Sequence, residues 1–188
     1  MNELKREEKI WGTMSNGLVV VHTGNGKGKT TAALGLALRA IGQGMQVLVV
    51  QFIKSSKNTG ELKIAQKLIP QLTIVPMGGG FFDKNSSKAV EREKRKVAKA
   101  FEFVKLNTRL GKYNLIILDE INYAISYGLI NIEKVLLLIK EKPKKMHIVL
   151  TGRDAKKKII DQADIVTEMK EVKHAFKKGT KAQKGIEF

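Results

Sequence analysis

The chain has 188 residues, enough for one domain with a substantial core, and a formal net charge of +17 from 35 Lys and Arg against 18 Asp and Glu. It has no cysteine, which excludes disulfides, thiolate metal sites and cysteine nucleophiles. No apolar run approaches the length of a membrane span, and the start, MNELKREEKIW, lacks an apolar leader core, so a soluble cytoplasmic protein is expected.

Residues 1–16 are charged and read as an arm or short helix, docked on the body by Trp11. Leu18 to His22 is a short apolar run, expected to be a buried parallel strand. Gly24, Gly26 and Gly28 follow at alternate positions, then Lys29, Thr30, Thr31 and a helical run to about Ile41 that ends at Gly42 and Gly44. Strand, glycine-rich turn and helix is the context of a phosphate-binding loop. Its nucleotide-binding residues are Gly24, Asn25, Gly26, Lys27, Gly28, Lys29, Thr30 and Thr31. Successive backbone N–H groups can point at one anion, the helix start adds its dipole, Lys29 adds a full charge and Thr30 an oxygen for a metal. Lys27 and Lys29 share the turn, where two uncompensated cations would repel; that favours a bound polyanion. The usual pattern is glycine, four residues, then Gly-Lys-Ser/Thr. Here Thr23 stands at the first glycine position and Gly24 comes one place later, so the loop is one residue tighter.

Met45 to Phe52 reads as a second buried strand whose exit, QFIKSSKNTG, lies on the ligand-binding edge of an open sheet. Glu61 to Ile69 is a short helix stopped by Pro70, and Leu72 to Val75 a third strand. In MGGGFFDKN (77–85) the consecutive glycines imply a mobile or sharply bent backbone. Phe81 and Phe82 are neighbours and cannot both face the core of an extended segment, so one is a candidate wall for an apolar ligand. Ser86 to Leu110 reads as one long helix with Val90, Val97, Phe101 and Val104 at helical spacing and Glu91–Arg95 as an i,i+4 pair. The rest of EREKRKVAK reads as a solvated face, with a nucleic-acid patch as the lesser reading. With lysines spread along the chain and few aromatics for stacking, the basic charge better suits a small polyanion than a nucleic acid.

Asn114 to Glu120 is a fourth strand that ends in two carboxylates. Downstream of a phosphate loop, Asp119 and Glu120 are expected to face Mg²⁺ held by Thr30 and the phosphates. Adjacent strand residues alternate faces, so one meets the metal directly and the other acts through water. Ile121 to Gly128 is a short helix or turn, and Asn131 caps a helix from Ile132 to Lys142. His147 to Thr151 is a fifth strand; Arg153 follows at the ligand edge as a phosphate or nucleotide contact, and Asp154 caps a helix over 155–162. Ile165 to Met169 is a sixth strand, and the lysine-rich tail reads as mobile from composition. The expected organisation is an arm (1–16), one α/β domain (17–170) and a tail (171–188). The expected fold is a three-layer α/β/α sandwich with a mostly parallel sheet of about five or six strands.

Taken together, these motifs make the sequence similar to the phosphate-loop ATP:corrinoid adenosyltransferases. The resemblance runs over nearly the whole chain from Gly17. It is carried by TGNGKGKTTAALG (23–35), VVQFIK (49–54), the Met-Gly-x-Gly-Phe turn at Met77 to Phe81, LDEINYA (118–124), LTGR (150–153) and VKHAFKKGTKAQKGIEF (172–188). The tighter glycine spacing is also that family's form of the loop. The resemblance implies a P-loop NTPase-like (RecA-like) fold. It implies transfer of the 5′-deoxyadenosyl group of ATP to the Co(I) centre of a corrinoid, with Mg²⁺ present and triphosphate leaving. Lys29 and the loop would grip a triphosphate seated in reverse relative to ordinary phosphate-loop enzymes. Phe81 would pack under the corrin ring and help strip its lower axial ligand. A homodimer, with arm and tail covering the sites, and an electron donor such as a flavoprotein are further implications. Family members often continue Phe-Thr-Trp where this chain has Phe81-Phe82-Asp83, so either Phe82 supplies the second apolar wall or the lower-ligand step is altered. The final Phe188 stands where a tyrosine is common. Two other readings are an ATP-hydrolysing protein acting on nucleic acid, with Glu120 positioning water, and a corrinoid carrier that binds without turnover.

Overall fold

A computed structural model describes residues 16–55, 58–80 and 82–187. Trp11, Phe81 and Phe188, and with them the expectations placed on the arm, the corrin-facing ring and the last residue, lie outside the described residues. The chain alternates strand and helix: β1 (Val19–Thr23), α1 (Lys29–Gly42), β2 (Val47–Gln51), α2 (Gly60–Lys67), β3 (Leu72–Pro76), α3 (Ser87–Leu110), β4 (Leu115–Asp119), α4 (Ile121–Ser126), α5 (Ile132–Glu141), β5 (His147–Thr151), α6 (Lys157–Ile160) and β6 (Ile165–Glu168). The strands form one sheet in the order β3-β2-β4-β5-β1-β6, and every pairing is parallel.

Strands β1, β2 and β4 are buried along their whole length, as parallel strands with both faces covered must be. Alternate residues serve the two faces. Val20, Val47, Val49, Ile117 and Val149 pack with Ala33 and Ala37 of α1 and Ala65 of α2. Val21, Leu48, Val50, Ile116, Leu118 and Leu150 pack with Val97, Phe101 and Val104 of α3, Ile121 of α4 and Val135 of α5. These are the three expected layers.

Of the two caps expected from the sequence, the one at Asn131 forms and the one at Asp154 does not. Ser86 accepts a hydrogen bond from the Ala89 amide (3.3 Å) at the start of α3, and Asn131 from the Glu133 amide (2.9 Å) at the start of α5. Asp154 does not cap a helix. It sits at φ 57 in a turn, and α6 is only four residues long, with Lys156 before it and no side-chain cap. On α3, the ion pairs among the described residues are Arg92–Glu93, Lys96–Glu93 and Lys105–Glu102, so the expected Glu91–Arg95 pair is not formed. Nor is EREKRKVAK wholly solvated, because Glu93 is buried. Among the described residues no helix is long and apolar enough to cross a membrane.

Two histidines make the fold sensitive to acid. Both ring nitrogens of His22 are buried without a partner, and His147 accepts the Leu18 amide on Nδ1 (3.0 Å). Burial pushes both below the ordinary histidine value, and the Lys142 charge adds to this at His147. The unfolded chain therefore takes up these protons first. Their contribution is intact above the unfolded value, about 6.5, and is lost as pH falls below it. Thermal melts should show Tm falling from pH 7 to pH 5, and His22→Phe should make that fall shallower; an unchanged slope would mean that His22 does not titrate on unfolding.

Candidate active site

Strand β1 delivers the chain into the turn Gly24–Gly28. Gly24 (φ 91) and Gly28 (φ 114) take left-handed backbone that a side chain would strain. Not every amide of the turn faces outward, however: Gly26 donates to the Met169 carbonyl at the end of β6 (2.6 Å). The Lys29 ammonium bridges the turn from beneath, donating to the carbonyls of Gly24 (2.7 Å) and Gly26 (2.6 Å). Burial pushes it below the ordinary lysine value, with the Glu120 charge opposing. Lys27 is not an uncompensated cation. It donates to the Ile186 carbonyl (3.1 Å) and pairs with Glu187 (3.1 Å), so part of the charge expected to await a polyanion is met by the tail. The tail is thus tied to the loop near its end. Further back, a 3₁₀ turn at Ala175–Lys178 is capped by His174, whose Nδ1 accepts the Phe176 amide (3.2 Å).

A second cluster sits at the carboxyl ends of the central strands. Asp119, fully buried, accepts on Oδ1 from the Thr30 hydroxyl and from the Thr151 hydroxyl, both at 2.8 Å. The β2–β4 register sets Gln51 opposite Asp119, and Gln51 Nε2 (3.4 Å) and the Lys54 ammonium (3.5 Å) lie against Oδ2. Glu120 leaves the strand with φ 65, unusual for a non-glycine residue, and its amide donates to Thr151 Oγ1 (2.9 Å). The two carboxylates face different surroundings because the chain turns out of the strand at Glu120. Asp119 holds Thr30, while Glu120 borders the cavity. Burial pushes the Glu120 carboxyl up, the Asp119 charge adds to this, and Lys29, Lys54 and Arg153 oppose it.

One cavity of about 760 Å³ joins these parts. Asn25 to Thr31, Glu120 and Arg153 line its polar half. Leu34 and Leu38 of α1 with Ile64 and Leu68 of α2 line an apolar half, and Ile186 and Glu187 border it. Gly24 faces it only through its neighbours, and Asp119 lies behind Thr30. Phe82 is elsewhere: half-buried, it packs against the core. Asp83, at the position often held by tryptophan, accepts the Asn85 amide (2.9 Å) in a local turn, and Lys84 donates to Tyr127 Oη (2.5 Å). Sequence reasoning missed Gln51, Lys54, Thr151 and Glu187. Gln51 and Thr151 carried a usable signal, since each is a polar residue ending an apolar strand on the ligand edge.

Lys29→Ala should weaken binding of a nucleoside triphosphate by about 10- to 100-fold, one charge-assisted contact of ~1.5–3 kcal/mol, by calorimetry; unchanged affinity would remove Lys29 from the phosphate site. Glu187→Gln, which removes the ion pair but not the Ile186 contact of Lys27, should speed proteolysis within 179–187 while leaving the folded core resistant.

The comparisons with known proteins bear on this arrangement. A family model described as ATP:corrinoid adenosyltransferase BtuR/CobO/CobP matches residues 15–188. A corrinoid adenosyltransferase of Pseudomonas aeruginosa is 42% identical over 175 residues, covering 92% of this chain and 84% of that protein. One from Escherichia coli K12 is 36% identical over 174 residues, covering 92% and 86%. Among solved structures, the flagellar accessory protein FlaH from Methanocaldococcus jannaschii aligns with TM-score 0.58 at 16% identity, covering 87% of this chain and 76% of that one. The RadB recombinase aligns at 0.50 and 12% identity, covering 90% and 81%. These two carry the fold alone, a parallel sheet with helices on both faces. The agreement of family model, relatives and phosphate-loop geometry over almost the whole length means that the chain belongs to the ATP:corrinoid adenosyltransferase family.

Proposed function

We propose that the protein transfers the 5′-deoxyadenosyl group of ATP to a corrinoid at the cavity just described. ATP-dependent adenosylation of a corrinoid is the family's activity, and neither nucleic-acid-stimulated hydrolysis nor passive corrinoid carriage is favoured by its relatives. The observation that carries the finer reading is the Thr30–Asp119 hydrogen bond beside Lys29 at the mouth of one cavity. In the reaction, the Co(I) electron pair forms a bond to C5′ of ATP. The C5′–O bond breaks, its electrons leave with the triphosphate, and cobalt becomes formally Co(III). The nucleophile is already potent, so no general base is needed. The protein's work is to align C5′ with the metal and to stabilise the departing charge.

Lys29 and the amides of the Gly24–Thr31 turn other than that of Gly26 bind the triphosphate, and Arg153 adds a charge at its rim. The Thr30 hydroxyl donates its hydrogen bond to Asp119, which leaves the Thr30 oxygen lone pairs for a cation, and Glu120 borders the same space; this donor set fits Mg²⁺. Mg²⁺, when bound there, supplies further positive charge for the leaving group. On this reading Phe81 packs against the corrin, with Phe82 serving the core instead of a second wall. The working form is a homodimer in the cytoplasm, supplied with electrons by a flavoprotein-class donor.

The deciding assay combines the protein with MgATP and an anaerobically reduced corrinoid. A light-sensitive alkylcobalt product with inorganic triphosphate is expected. ADP and phosphate, stimulated by DNA or RNA, would overturn the proposal in favour of hydrolysis, and tight binding without product would favour a carrier. Phe81→Ala should slow turnover with a corrinoid that has a lower ligand far more than with one that lacks it.

A further inference from the structure

Glu93 has no part in the chemistry above, yet it is buried to 1% exposure in the second turn of α3, and its Oε2 has no hydrogen-bond partner. Oε1 faces the Arg92 Nε (3.4 Å) and the Lys96 ammonium (3.3 Å). A buried carboxylate with an orphaned oxygen is unfavourable, and such a group persists where something else depends on it. What lies against it is the glycine run after β3. A Cβ placed on Gly79 would fall 2.0 Å from Glu93 Oε1 and 2.2 Å from Oε2. The carboxylate thus fills the space where a side chain of residue 79 would stand. The flanking glycines are confined from the other side. A Cβ on Gly78 would fall 2.2 Å from the Ile53 carbonyl carbon, and Gly80, at φ 84, donates its amide to the Ile53 carbonyl (2.7 Å). Of the two expectations for this run, mobile or sharply bent, the structure shows the second, clamped between the exit of β2 and the Glu93 carboxylate.

We propose that Glu93 is a positioning residue for the corrinoid half of the reaction: its carboxylate acts as a peg that sets the path of Met77–Gly80 and hence the direction in which the chain enters Phe81 and Phe82. This rests on the adenosyltransferase reading, which makes that loop a wall of the corrinoid site. Arg92 and Lys96 hold the carboxylate from the solvent side, and Gly79 accepts its bulk. Among the described residues the hydrogen bonds and ion pairs of Glu93 go to Arg92 and Lys96 and not to the phosphate loop or the Asp119 cluster, so its removal acts on one substrate and spares the other.

The test uses the full-length protein with two readouts. Amide hydrogen exchange over 77–86 should quicken about fivefold or more in Glu93→Ala, with peptides over 19–35 unchanged. In steady-state assays, KM for the corrinoid should rise about tenfold, and KM for ATP should stay within about twofold. Glu93→Gln keeps the shape and should restore most of the wild-type behaviour. Gly79→Ala should reproduce the corrinoid-side defect, and joining it to Glu93→Ala should cost less than the sum of the two, because the new methyl enters the vacated space. Equal changes in both KM values, unaltered exchange in the loop, or strict additivity in the double variant would overturn the proposal. Should Glu93→Ala not fold, Glu93→Gln and Gly79→Ala carry the same comparison. Wild-type protein that forms no adenosylated corrinoid would overturn the functional reading, while the exchange measurement would still decide whether Glu93 orders the loop.

Discussion

The structure depends most on a single carboxylate. Asp119 is out of contact with solvent, and on one oxygen it collects the hydroxyls of Thr30 and Thr151. Those residues belong to the first turn of α1 and the end of β5, so the contact ties the phosphate loop to the central strands. A buried charge is tolerable only when its lone pairs are occupied, and here neutral hydroxyls and the more distant Gln51 and Lys54 groups do so. On the proposed reading the consequence is functional as well as structural. A threonine that has committed its proton inward presents oxygen lone pairs outward, and that is what a hard cation selects.

The second theme is distribution of positive charge. A turn holding two lysines looked poised for a polyanion, but the lysines have different partners. Lys29 spans the turn through carbonyls, whereas Lys27 is matched by Glu187. At about 40% and 30% side-chain exposure, the latter pair is partly screened and contributes little to stability; its value lies in where it holds the tail.

Much of this was legible in the sequence, and the reason is local. Lys29, Thr30 and Asp119 sit where a glycine turn and a strand end force them, so motif and context sufficed. Six strands, their order of appearance and the cap at Asn131 follow from periodicity and cap chemistry alone. Where the reading failed, the cause was distant or hidden. Lys27 and Glu187 lie at opposite ends of the chain, and no short-range rule pairs them. Asp154 looked like a helix cap, but a left-handed turn there left only a four-residue helix. Glu93 is the instructive case. It falls on the same helical stripe as Val97, Ala100 and Val104, yet the surrounding charges made it read as solvated. Spacing was the better guide than residue type.

The bond from Gly26 to Met169 has a temporal consequence. The phosphate turn lies near the beginning of the chain, but the carbonyl that receives its amide emerges from the ribosome only after β6 has been synthesised, and Glu187 later still. A nascent polypeptide thus carries the complete nucleotide motif long before it owns a finished pocket. Closure of the turn against the edge of the sheet is therefore a late event in the making of the chain.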